Sequence, residues 1–261
     1  MSQQIEFHYP DGYTHGDIAL SQEGWSYSPD DSHFGVWIRE AHNICHDSDF
    51  IHWCLSSVKT LFSATIVDVG ANIGTHTCGY LQIAKKVISI EPFHTSFECL
   101  KRNVLKQISN CVHSPSFTGI CGAAGRTDDL LHLEIDPKNH GASRIAGTGQ
   151  AVYALGLDAL CAGEEISLIK IDAEGYEGEI IVGGSFHAGP LADWRAKDRP
   201  SIIIEVNHHA LKLQGWDQDR LFGYLRHIGY RTLGRWPQEL DSLTYEHLKD
   251  VPQYDIHCSP A

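Results

Sequence analysis

The stretch Ile66–Thr77, IVDVGANIGTHT, constrains this chain more than any other. An apolar run carries Asp68 near its end, breaks into a turn containing Gly70 and Gly74, and continues into a helix-compatible segment. That pattern predicts a buried strand, a glycine turn and a helix, an arrangement that brings backbone N–H groups against a nucleotide-like ligand. A second buried-strand pattern, Val87–Pro92 (VISIEP), ends in Glu91. A carboxylate about twenty residues beyond such a turn is where doubly wound sheets hold ribose hydroxyls.

Residue identities separate the cofactor classes that use this turn. A P-loop needs Gly-Lys-Ser/Thr, whereas Gly74 is followed by Thr75 and His76. A dinucleotide turn reads G-x-G-x-x-G, whereas here Asn72 stands where the second glycine belongs. An acid just before the turn, Asp68, suits S-adenosylmethionine, whose amino-acid end carries an ammonium group, and that cofactor is favoured.

Bulk properties narrow the class. A chain of 261 residues accommodates one sizeable core. Its 42% hydrophobic content, without an apolar run near 18 residues, predicts a soluble protein with no membrane partner. The opening residues show no secretory pattern, and eight cysteines lack C-x-x-C spacing. Reduced, buried thiols and a cytoplasmic location are therefore expected. A formal charge of −13 argues against a nucleic-acid partner.

Residues 1–62 read as an N-terminal extension, a lid or substrate-pocket element, with an extended entry segment over 1–31 and one or two helices between His33 and Phe62. Residues 63–261 read as the cofactor-binding domain. Its predicted order is strand Thr65–Val69, helix Thr75–Ala84, strand Lys86–Ile90, helix His94–Gln107 and a strand near Val112–Ile120. A β-rich insertion follows over Leu130–Tyr153, with a polar loop at Asn139–Arg144. Then come strand Ile166–Ile171, helix Glu177–Gly183, strand Ser201–Val206, helix Gln218–Ile228 and closing strands at Tyr230–Leu233 and Tyr254–Cys258. This alternation implies an α/β fold, a mostly parallel sheet with helices on both faces.

Five segments in order, VDVGANIGTHT (67–77), VISIEPFHTSFECLKRNV (87–104), NHGASRI (139–145), LIKIDAEGYEGEIIVGG (168–184) and RPSIIIEVN (199–207), resemble the FkbM-type family of S-adenosylmethionine-dependent methyltransferases. The I-K-I-D-x-E-G-x-E element at 169–177 is the most specific. The resemblance covers roughly 60–207 and implies a Rossmann-like class I fold, a seven-stranded sheet with an antiparallel last strand. It also places the loop holding Ser143 and Arg144 over cofactor or acceptor. Two departures are Asn72, which leaves the turn less open than a three-glycine version, and the histidine-rich flanks.

The expected cofactor site comprises Asp68, Gly70, Asn72, Gly74, Thr75, Glu91, Pro92, Gly122, Ala123, Ala124 and Asp172. Asp68 would face the methionine ammonium, directly or through water. Glu91 would accept from both ribose hydroxyls. Gly122, Ala123 and Ala124 would wall the adenine, unless they form only a tight turn. Asp172, Glu205 and Asn207, at the carboxyl ends of neighbouring strands, make a hard-cation set suited to Mg²⁺ or Mn²⁺. The competing assignment leaves Asp172 as a helix cap or cofactor contact and Glu205 as a metal-free general base. Catalytic candidates are Asp172, Glu205 and His208, with His209 beside it open to the same role and His76 and His140 weaker; Glu174 and Glu177 read as helix-turn stabilisers. The expected activity is O-methylation of a hydroxyl on a sugar, glycan or polyketide-like small molecule. Alternatives are N-methylation of an amine or peptide, and a non-catalytic cofactor-binding subunit.

Overall fold

The computed structural model describes residues 3–33, 37–38, 44, 48–56, 58, 61–126, 129–184 and 199–261. Much of the expected helical region between His33 and Phe62 lies outside them; the described part includes the helix Ser48–Ser56 and a 3₁₀ turn at Leu61–Ser63. The main sheet has eight strands: β1 (Ile5–His8), β2 (Thr65–Val69), β3 (Lys86–Ile90), β4 (Ser116–Ile120), β5 (Ile166–Ile171), β6 (Ser201–Asn207), β7 (Tyr230–Trp236) and β8 (Gln253–Pro260). Their order is β1-β4-β3-β2-β5-β6-β8-β7. All pairings from β1 to β6 are parallel, and only β8 runs antiparallel to its neighbours.

The expected α/β sheet, mostly parallel with an antiparallel strand, is present, with one correction to the strand count: eight rather than seven. Residues 5–8, expected in an entry segment outside the sheet, form β1 and pair with β4 from Ile5↔Phe117 to His8↔Ile120. The alternation Ile5, Phe7 places Phe7 against Phe97 and Phe117, with ring centroids 6.4 and 5.6 Å away, so a short aromatic stretch closes the edge of the sheet.

Both faces of β2–β6 are covered, which is why these strands read as continuous apolar runs. Ile66, Val87, Leu168 and Ile203 point into a core shared with α1 (Ser48–Ser56), α2 (Thr75–Leu81) and α3 (His94–Asn110). Val67, Ile88, Ile169, Ile202 and Ile204 point into the opposite core, closed by α4 (Glu177–Gly183), α5 (His208–Leu213) and α6 (Gln218–His227). The 130–153 insertion builds a small sheet, ordered 123–124, 150–155, 129–134, 144–146, at the carboxyl ends of the main strands.

Element boundaries differ locally. α2 stops at Leu81, where Gln82 N–H bonds Gly79 O at 3.2 Å in a tightened last turn. β4 begins at Ser116 rather than near Val112, because Val112 is fully exposed and Pro115 has no N–H for the ladder. α6 is capped by Asp217, which accepts from Arg220 N–H at 2.7 Å, and ends at Gly229 in the left-handed region (φ 80°). No helix among the described residues is long and apolar enough to cross a membrane.

The core under α1 and α2 is not wholly apolar. Asp68, Ser89 and Lys170 stand side by side in register on β2, β3 and β5. Thr77 of α2 donates to Asp68 Oδ2 at 2.6 Å and sits 2.8 Å from Ser89 Oγ. Replacing this enclosed threonine by valine leaves polar groups without a partner. Thr77→Val is expected to cost about 1–3 kcal/mol in urea unfolding, with the denaturant slope unchanged.

Candidate active site

The cavity opens where chain order reverses between β2 and β5, the switch point at which open α/β sheets hold ligands. It has a volume of about 470 Å³ and is walled by the loops that follow β2 to β6 and by the small sheet.

The β2 turn fits its position tightly. Gly70 has φ 75°, and a Cβ there would lie 1.7 Å from the Asp172 carbonyl oxygen, so only glycine lets the two loops meet. Asn72 also adopts a positive φ of 48°, one of the few residue types that tolerates it. Gly70 and Ala71 N–H both bond Ile90 O, at 3.0 and 3.1 Å. Gly70, Asn72 and Thr75 line the cavity. Gly74, a left-handed N-cap to α2, packs against Leu100 and does not line it.

Glu91 and Pro92 form the next wall. Glu91 Oε2 accepts from Asn72 N–H and Oε1 from Phe93 N–H, each at 2.8 Å, so the carboxylate ties the two loops together. Burial raises its pKa to about 7, and the two backbone donors only partly offset that. Each oxygen keeps lone-pair capacity for a hydroxyl donor. Ala123 and Ala124 line the cavity, while Gly122 only supports the turn through its N–H to Glu91 O at 3.2 Å.

Asp68 is fully enclosed and lies behind the wall. Its neighbours are Thr77 and the Lys170 ammonium, 3.8 Å from Oδ1. Lys170, 2% exposed, also donates to Asp172 Oδ2 at 3.0 Å. Burial opposes the lysine's charge, but Asp172 and Asp68 outweigh it and hold the ammonium protonated above the ordinary range.

Three carboxylates converge after β5 and β6: Asp172, Glu174 and Glu205 offer oxygens within 4.8 Å of one another. Glu205 is 5% exposed; Gln253 Nε2 donates to its Oε1, and Oε2 has no partner. Burial and then Asp172 push the Glu205 carboxyl well above the usual range. The same causes raise Glu174 to about 8. Glu174 lines the cavity from a backbone position with a positive φ of 50°. Glu177 does brace the turn, accepting from Ala173 N–H at 2.9 Å and Gly175 N–H at 3.1 Å.

Two candidates make contacts of another kind. Asn207 lines the cavity, but its Oδ1 caps α5 through Ala210 N–H at 3.1 Å; Glu174 takes its place in the acidic set. His208 turns away from the cavity, its Nε2 lying 3.1 Å from Leu248 O, and His209 is exposed. His76 and His140, ranked low from sequence, both line the cavity, as does Ser143. Arg144 pairs with Glu134.

Sequence reasoning assigned no role to Lys170 or Gln253 and read Glu174 only as a helix-turn stabiliser. A lysine inside LIKI was a usable signal, since a buried ammonium demands acidic partners. Gln253 carries no local signal, because its role depends on β8 pairing Gln253 with Asn207.

Two expected outcomes follow from these contacts. Lys170→Met leaves Asp68 uncompensated and is expected to destabilise by about 3–5 kcal/mol in chemical unfolding, with Asp68→Asn/Lys170→Met recovering most of it. Glu91's pKa is raised from 4.5 to about 7, so its contribution to stability is full below 4.5 and is lost as pH rises through about 7. Thermal unfolding of ligand-free Glu91→Gln should match wild type near pH 4.5 and exceed it at pH 8.

The family model described as methyltransferase FkbM domain matches residues 68–232. Among solved structures, the fold resembles magnesium protoporphyrin IX methyltransferase from Synechocystis, crystallised with bound SAH (10% identity, 82% of this chain and 80% of that one, TM-score 0.46). It also resembles precorrin-6y C5,15-methyltransferase from Geobacter metallireducens (11% identity, 90% and 100% coverage, TM-score 0.48). No curated protein matches the chain.

Proposed function

The chain belongs to the methyltransferase FkbM domain family, and from that premise we propose that it methylates a hydroxyl of a sugar, glycan or polyketide-like small molecule. The observation that carries this reading is the set Asp172, Glu174 and Glu205 gathered beside the glycine turn.

The cavity suits S-adenosylmethionine. The turn from Gly70 to Asn72 lines the cavity, and Glu91 presents a buried carboxylate with acceptor capacity for ribose hydroxyls. When bound, this cofactor supplies an activated methyl group and its own leaving group. What remains for the chain is to orient the acceptor, exclude water and receive one proton. Glu205 fits the last task, because a carboxylate with raised proton affinity is a stronger base.

The acidic set also suits a hard divalent cation. Its donors are all carboxylate oxygens, and Glu205 Oε2 is buried without a partner. Asp172, Glu174 and Glu205 would hold Mg²⁺ or Mn²⁺, which when bound supplies Lewis acidity toward a hydroxyl. A formal charge of −13 supports an acceptor other than a nucleic acid.

The test is methyl transfer from labelled cofactor to a panel of sugars, glycans, polyketide alcohols and amines, with EDTA or with added Mn²⁺. Turnover on a hydroxyl acceptor that EDTA abolishes and Mn²⁺ restores is expected. Asp172→Asn and Glu205→Gln should each lower kcat by about 10²-fold or more, on the scale of general acid–base catalysis. Turnover indifferent to EDTA removes the metal and leaves Glu205 as base; turnover on amines alone replaces O- with N-methylation.

A further inference from the structure

The family match begins at residue 68, yet the cavity wall includes His33, far upstream of it. The segment leading to His33 is fastened to the 136–143 loop. Ser32 Oγ donates to Lys138 O at 2.8 Å, and His33 N–H bonds the same carbonyl at 3.1 Å. Asp136 Oδ1 holds that loop in shape by accepting from Lys138 and Asn139 N–H.

Asp31 is the centre of the junction. It is 3% exposed; Oδ1 accepts from His33 N–H at 2.9 Å and Oδ2 from His140 N–H at 3.3 Å. Its Oδ2 also lies 3.9 Å from His140 Nδ1, a nitrogen that is buried and has no hydrogen-bond partner. A contraction of about 1 Å would turn that contact into a hydrogen bond. The His140 ring, 8% exposed, packs edge-on against Phe93 with centroids 4.9 Å apart. Phe93 N–H is one of the two donors that orient Glu91, so His140 and Glu91 flank the same part of the cavity.

From this geometry we infer that His140, oriented by Asp31, is a second acceptor for the ribose of the bound nucleoside, and that the N-terminal segment completes the cofactor site. With Nδ1–H directed at Asp31, Nε2 is left as a lone-pair acceptor on the cavity side. A ribose offers two hydroxyl donors; Glu91 takes one or both from the β3 side, and His140 takes one from the loop side. Asp31 is a positioning residue, since it acts through His140. This inference rests on the S-adenosylmethionine reading of the cavity.

The experiment is calorimetric titration of the full chain with S-adenosylhomocysteine and with its 2′-deoxy and 3′-deoxy analogues. Wild type, His140→Ala, Asp31→Ala and Asp31→Asn are compared; Asp31→Asn keeps an acceptor for the backbone N–H groups should the alanine variant fail to fold. Expected are at least tenfold weaker binding of S-adenosylhomocysteine by His140→Ala and Asp31→Ala, and a smaller loss for Asp31→Asn. One deoxy analogue should bind wild type at least tenfold more weakly than the parent ligand, and that penalty should shrink to under threefold in His140→Ala. Unchanged affinity in folded variants overturns the inference and leaves the cofactor reading intact. Weakened affinity with the full deoxy penalty retained assigns His140 a structural role and also overturns it. Absence of binding by wild type overturns the cofactor reading together with it.

Discussion

The site is organised around one buried ammonium. Lys170 lies in register with Asp68 on the neighbouring strand and two residues before Asp172, and it is close to both carboxylates. Removing three charges from water is costly, and the arrangement persists only because Thr77 and the adjoining strands fix the geometry. Its consequence is directional. One oxygen of Asp172 is committed to Lys170, so the rest of that side chain is held toward the cavity and the neighbouring loop, where Gly70 packs against the Asp172 carbonyl. The glycine turn, the lysine and the acid after β5 therefore behave as one unit.

A single lysine does not balance the acids around it. Asp172, Glu174 and Glu205 converge with little compensation; burial first, and then repulsion from Asp172, raises Glu174 and Glu205. Such a cluster is costly when empty and favours whatever brings positive charge, be it a proton, a hard cation or a sulfonium. Glu91 carries a similar cost of burial. A neutral side chain would suit its burial better, but a carboxylate offers acceptors that hydroxyl groups can use.

The framework of this fold was legible because strands buried on both faces write themselves as apolar runs, and Asp68, Glu91, Asp172 and Glu205 stand near the ends of such runs. Gly70 was legible from the turn alone. What escaped depended on pairing across long separations. β1 joins the sheet edge through Phe7, a residue whose partners Phe97 and Phe117 lie about ninety or more positions away, beyond any local periodicity. That Asn207 Oδ1 caps α5 and that the His208 ring lies against Leu248 O also depend on contacts no local pattern announces. Glu174 lines the cavity from a left-handed backbone position that nothing in its side-chain type announces. Asp31 and His140 are 109 residues apart, and neither carries a motif that announces the other.

The most direct test of the central claim is a crystal structure of the S-adenosylhomocysteine complex. The account predicts the ligand in the cavity between the Gly70 turn and the Asp172 loop, with its ribose hydroxyls within hydrogen-bond reach of Glu91. A ligand bound elsewhere, or a ribose that leaves Glu91 without a hydroxyl partner, would contradict it.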